Sequence, residues 1–100
     1  MATPVIYRKF SDGDILALFP SIADSMRLSE CLSYAHIGQH GMANYRLVVD
    51  STSPAAPDEY ASLEKELESL GYENLQVYRR EQEWMREKRR ETIREWRDLG

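Results

Sequence analysis

The chain predicts a small α+β fold: an antiparallel sheet in the order ββββαβ, one helix packed against it, and a charged C-terminal helix. Three observations carry that prediction. Short apolar runs broken by turn residues fill the first half. A stripe of apolar residues at helical spacing follows, opened by Pro57 and closed by Gly71. The last stretch, from Arg80 onward, is dense in Arg and Glu and carries both tryptophans.

Val5-Ile6-Tyr7-Arg8-Lys9-Phe10 reads as a strand. Ser11-Asp12-Gly13-Asp14 is a turn in which Gly13 can supply a positive φ. Ile15-Leu16-Ala17-Leu18-Phe19, nearly all apolar, is a second strand covered on both faces, and Pro20 ends it. Residues 20–29 show no period and read as a loop. Residues 30–37 alternate, with Leu32, Tyr34 and His36 on one face and Cys31, Ser33, Ala35 and Ile37 on the other. Residues 38–42 are expected to turn. Residues 43–50 then read as the returning strand, Tyr45, Leu47 and Val49 facing one way and Arg46 and Val48 the other.

After a connector over 51–56, Pro57 suits the first position of a helix, where its missing N–H has no partner to lose. Asp58 and Glu59 favour the positive helix end. Tyr60, Leu63, Leu67 and Leu70 make one stripe. Gly71 suits a left-handed cap. Leu75-Gln76-Val77-Tyr78 is a short strand. From Arg80 the chain is helical by composition, with a narrow stripe of Met85, Arg89, Ile93, Trp96 and Leu99. The expected organisation is therefore a domain over 1–79 and a helical extension over 80–100.

One hundred residues, 42% of them hydrophobic, suffice for one domain with a modest core. The longest apolar run is far too short to cross a bilayer, and the N-terminus lacks the basic and apolar regions of a signal peptide, so a cytoplasmic location without membrane contact is expected. Cys31 is the single cysteine, which leaves no intrachain disulfide and no Cys-rich zinc site. Charge is uneven. Residues 1–78 carry five basic against eleven acidic groups, a net of −6, and residues 79–98 carry eight against six, a net of +2. The acidic part repels a nucleic-acid backbone, so no direct duplex binding is expected, and it complements a basic surface such as one that holds DNA or RNA.

Both histidines fall in the stretch from Ser33 to Tyr45. His36 and His40 have the spacing of a helical metal pair, but Gly38 and Gly41 argue against a helix. A third ligand from Glu30, Cys31 or Asp50 would have to come by folding, so no metal or cofactor is assigned. Gly38-Gln39-His40-Gly41 offers a concavity of backbone N–H groups for an anion, with His40 and Arg46 adding charge. Gln39 and Asn44 could read a base, and Tyr34 or Tyr45 could stack on a ring, which makes a nucleotide-like ligand the natural candidate here. The Gly-Lys-Ser/Thr element of a phosphate loop is absent. Ser33 and Cys31 point to the opposite strand face from His36, which weakens nucleophile–base pairing, and Asp12 and Asp14 read as turn-formers. No catalytic residue is assigned, although a His-dependent hydrolase stays open. On the tail, Trp84, Arg86, Arg90, Ile93, Arg94 and Trp96 are the expected partner-binding residues, since Trp and Arg are common interface anchors. The same helix could pair two copies of the chain.

Tyr7-Arg8-Lys9-Phe10-Ser11-Asp12-Gly13-Asp14-Ile15-Leu16-Ala17-Leu18-Phe19-Pro20, Ser33-Tyr34-Ala35-His36-Ile37-Gly38-Gln39-His40-Gly41 and Pro57-Asp58-Glu59-Tyr60 together resemble a family of short, functionally uncharacterised proteins of bacteriophages, prophages and conjugative elements. The resemblance spans roughly residues 5–79. Members often carry Thr where this chain has Ala56, so a side-chain helix cap worth about 1 kcal/mol is missing. The tail from Arg80 is longer than the family's. The resemblance implies a mobile-element protein acting in a bacterial host cell. Joined to the acidic domain and the Trp-bearing helix, it leads to the expectation of a non-enzymatic protein that inhibits a host nucleic-acid-targeting defence component by protein–protein contact. The alternative is a nucleotide-binding or nucleotide-sequestering protein using the loop between His36 and Tyr45.

Overall fold

The computed structural model describes residues 2–35 and 39–100. His36 and Gly38 of the expected ligand loop lie outside the described residues, as does Ile37. The fold is α+β. Strands β1 (Thr3–Lys9), β2 (Ile15–Phe19), β3 (Glu30–Ala35) and β4 (Gln39–Asn44) are followed by α1 (Tyr45–Ser51), β5 (Ser53–Pro54), α2 (Pro57–Ser69), β6 (Leu75–Val77) and α3 (Glu83–Leu99). The sheet runs β4-β3-β2-β1-β5, and β6 joins β1 in parallel.

The first hairpin closes as its sequence demands. Gly13 takes a φ of +97°, and the Asp12 carboxylate accepts from the Asp14 amide at 3.0 Å. Pairing Tyr7 with Ala17 and Ile6 with Leu18 sorts the apolar residues onto two faces. Val5, Tyr7, Ala17, Phe19 and Tyr34 pack with Leu63 and Leu67 of α2. Ile6, Leu18, Cys31 and Ala43 form the second face, flanked by Tyr45, Val48 and Tyr78. Because both faces are covered, β2 needs no polar alternation.

The sheet's tyrosines also reach polar partners on α2. Tyr7 donates its hydroxyl to Glu64 at 3.3 Å, and Tyr34 donates to Glu66. At the helix start, Glu59 accepts from the Ala56 amide at 2.8 Å and meets the Lys9 ammonium. That contact occupies one end group in the absence of a side-chain cap at Ala56. At the helix end, Gly71 has a φ of +104°, its amide donates to Glu68 at 3.0 Å, and the Tyr72 amide donates to Leu67 at 3.2 Å. These two bonds form a Schellman cap, and Tyr72 packs into the core that holds Leu67.

Two expectations are corrected. Residues 39–42 do not turn: Gln39, His40, Gly41 and Met42 pair with Ala35, Tyr34, Ser33 and Leu32 as part of β4. Residues 45–51 are not a strand but α1. The Asn44 side chain accepts from the Leu47 amide at 3.1 Å, capping the helix start. Arg8 caps its end: Nη2 donates to the Val49 and Thr52 carbonyls at 3.0 and 2.7 Å, and Nε donates to Thr52 Oγ1 at 2.9 Å. A buried guanidinium at the negative helix end satisfies carbonyls that a strand would have paired laterally. Tyr45 and Val48, three apart, face the sheet, while Leu47 is exposed.

Candidate functional site

The C-terminal helix is joined to the domain through one side of its first half. Met85, Arg89 and Ile93 lie four apart, and all three are buried. Arg89, 1% exposed, is the largest buried side chain among the described residues. Its guanidinium spends its donors on the loop between β2 and β3 and on the turn before α3. Nε and Nη2 donate to the Leu28 carbonyl at 3.2 and 2.8 Å, and Nη1 donates to the Pro20 carbonyl and to Glu81 Oε1, the latter at 2.7 Å. The planar fork of Arg suits this multiple role, which the single ammonium of Lys would not fill. Both ends of the 20–29 loop are thereby tied to one side chain. The Glu81 amide in turn donates to the Tyr45 hydroxyl at 2.7 Å, which links the start of α3 to α1.

With that side fixed, the others are set by the 100° step of the helix. Arg86, Arg90, Arg94 and Arg97 fall along one flank. Arg90, Ile93, Arg94 and Arg97 share a groove of about 270 Å³ with Met26 and Leu28 of the 20–29 loop. Met26 is exposed. Arg90 is paired with Glu87. Among the described residues, Arg86, Arg94 and Arg97 have no carboxylate within 4 Å. Trp84 is 47% exposed and meets the Tyr78 ring edge-on at 6.4 Å, and Trp96 is 38% exposed.

The expected partner-binding set is therefore largely at the surface, with one correction. Ile93 is 5% exposed, so it mainly holds the helix to its domain and reaches the surface only as part of that groove. The groove also takes in Met26, Leu28 and Arg97, which are not in the expected set. The Arg86-Arg90-Arg94-Arg97 spacing was legible, but the loop that completes the groove lies more than sixty residues earlier in the chain.

The described members of the expected ligand-binding set are not gathered into one site, although Tyr34 and His40 meet. Tyr34 is buried, and its ring meets His40 edge-on at 4.7 Å. His40 Nε2 lies 2.8 Å from the Tyr72 hydroxyl, whose ring stacks on Phe19 at 4.8 Å. His40 thus finishes an aromatic cluster at the edge of the sheet. Gln39 and Gly41 are extended, and Ser33 donates to the Gly41 carbonyl at 3.0 Å, so the N–H concavity expected over 38–41 is not formed by its described members. Asn44 is used as a helix cap, Tyr45 accepts from Glu81, and Arg46 stands exposed on α1 beside Asp50. The reason is the strand-to-helix change at residue 45, which carries Tyr45 and Arg46 away from His40.

Cys31 is fully buried, and burial pushes its thiol up to about 12, against a smaller opposing effect of Arg89. A thiol held protonated at neutral pH is a packing group and a poor nucleophile. Because its folded value lies above the ordinary 9.0, the stability it contributes is complete below about pH 9 and falls as pH rises toward 12. Tyr7, pushed up mainly by burial and then by Glu64, acts in the same direction. Denaturant titrations from pH 8 to 11 should show stability decreasing steadily. In Cys31→Ala the decrease should be shallower by an amount that grows with pH.

Among the described residues no group of three His, Cys, Asp or Glu is placed to hold a metal ion, and no helix is long and apolar enough to cross a membrane. Comparison with protein-family models, curated proteins and solved structures yields no match.

Proposed function

We propose that this protein is a non-enzymatic binding protein whose contact surface is the outer side of α3 and the adjoining 20–29 loop. The observation that carries the reading is the burial of Arg89. A charged side chain sunk into its own domain and bonded to three separate groups holds the helix in one orientation. Holding it so leaves two partly exposed tryptophans, Trp96 at the border of the buried stripe, and exposed Arg86, Arg94 and Arg97, which have no carboxylate partner among the described residues. Trp and Arg are the residue types that most often dominate binding energy, and fixing the helix that carries them before encounter lowers the entropy lost on association.

The partner this surface fits is a protein with an acidic segment beside an apolar side chain, which would meet Arg94 and Arg97 and insert toward Met26. The resemblance to phage, prophage and conjugative-element proteins supports a host protein as that partner, and a component of a nucleic-acid-targeting defence system is the proposed target. The test is capture from host extract by the intact chain, with Arg86→Glu/Arg94→Glu/Arg97→Glu as the matched control. A partner retained by the native chain and lost by the folded variant supports the reading. A partner retained equally by both, or none retained by either, overturns it.

A further inference from the structure

A second site lies on the β1 edge of the sheet, where Tyr78 also meets Trp84 at the start of α3. The Val5 carbonyl accepts from the Tyr78 amide at 2.8 Å, and the Tyr7 carbonyl accepts from the Ala55 amide at 3.1 Å. Carbonyls two residues apart on a strand point the same way, so both segments pair with the same edge of β1. They run in opposite directions, β5 antiparallel and β6 parallel to β1, and they diverge between Val5 and Arg8. The notch between them opens into a cavity of about 400 Å³.

Its walls are chemically uneven. Tyr7, Tyr60 and Tyr78 all line it, and the Tyr7 and Tyr60 rings lie nearly parallel, 12° apart with centroids at 4.1 Å. Pro54, Ala55, Pro57 and Val77 complete an apolar surround. One charged group, Arg79, lines the cavity. Among the described residues Arg79 has no hydrogen bond or ion pair. It is also close enough to Arg8 to oppose that guanidinium's charge, although burial is the larger effect there. The positive end of α2 begins at the rim, at Ala56 and Pro57; of the two acidic groups in that first turn, Glu59 is paired with Lys9 and Asp58 is exposed outside the cavity lining. An apolar cavity of a few hundred Å³ with stacked rings and one unpaired cation is the usual form of a small-molecule site.

We infer that this notch binds a small planar aromatic ligand bearing a phosphate or carboxylate group, the ring lying against the tyrosines and the anion meeting Arg79. The inference rests on residues other than those of the α3 surface, the two meeting only where Tyr78 touches Trp84, and Arg79 and Tyr60 have no part in that contact. It also moves the expected nucleotide-like ligand from the loop between β3 and β4 to the opposite edge of the sheet.

The experiment is chemical-shift titration of the ¹⁵N-labelled full chain with phenyl phosphate and, separately, adenosine monophosphate. Inorganic phosphate and benzyl alcohol are the half-ligand controls. Saturable shifts at the Ala55, Tyr60, Tyr78 and Arg79 amides are expected, with a Kd of about 1 mM or tighter for at least one of the two aryl or nucleoside phosphates. Arg79→Gln, an exposed change that leaves the core intact, should weaken that binding about tenfold or more, and both half-ligands should bind at least about tenfold more weakly. Absence of saturation at those amides up to about 20 mM, unchanged affinity in Arg79→Gln, or shifts confined to α3 would each overturn the proposal. Whichever of the two phosphates binds more tightly separates a nucleotide from a simple aryl phosphate as the source of the shared chemistry.

Discussion

Replacing Arg89 with alanine is expected to destabilise the protein by about 3–5 kcal/mol, the range for removing one partner of a buried ion pair. The change strips donors from the Pro20 and Leu28 carbonyls, strands Glu81 as a carboxylate 13% exposed, and removes most of a buried side chain's volume. At about 4–8 °C per kcal/mol for a chain of this size, the melting temperature should fall by more than about 10 °C. Arg89→Met preserves most of the volume and should recover only part of the loss, because the unmet polar groups remain. Adding Glu81→Gln to Arg89→Met should cost less than the sum of the two single changes, since the stranded carboxylate is then gone. Thermal and urea unfolding of the native chain and the four variants would measure this. A loss below about 1 kcal/mol for Arg89→Ala would show that α3 is not held as described.

The second large effect falls on binding and leaves folding alone. Trp84→Ala and Trp96→Ala are each expected to cost about 2 kcal/mol or more of partner affinity, roughly thirtyfold. Both side chains are more than a third exposed, so melting temperature should move little. Reversing Arg86, Arg94 and Arg97 together should abolish capture at physiological salt. Its effect should appear mainly as slower association that converges on the native rate as salt is raised, because exposed charges act at long range and are screened. Surface-plasmon measurements with the captured partner over about 50–500 mM salt would separate the tryptophan effect, on dissociation, from the arginine effect, on association. A Trp variant with unchanged affinity would remove that residue from the contact.

Which parts of this molecule could be read from the chain follows from how local their determinants are. The first hairpin is written in adjacent residues: a glycine with positive φ, a carboxylate two residues from the amide it accepts from, and apolar runs on either side. The second helix is equally local, from Pro57 to the Gly71 cap. The first helix was not legible. Tyr45, Leu47 and Val49 alternate as a strand would, and the groups that decide otherwise are Asn44, an ordinary turn residue, and Arg8, more than thirty-five residues earlier. Arg89 shows the same limit from the other side. Its place in the apolar stripe of the last helix was visible in the spacing, but its partners Pro20 and Leu28 lie 69 and 61 residues away. The described residues of the candidate loop site are placed otherwise than expected for a related reason. His40 and Tyr34 do come together, yet what they meet is Tyr72, brought in by the cap of the second helix.

The proposed contact surface requires that the C-terminal helix is a fixed part of the fold and not a loose extension. Native-state amide hydrogen exchange tests that most directly. The amides of Arg89 to Ile93 should open with a free energy close to that of Leu63 to Leu67 in the second helix, both rising to the global unfolding value. Exchange across residues 86–97 at the rate of an unstructured peptide, while the sheet stays protected, would contradict it.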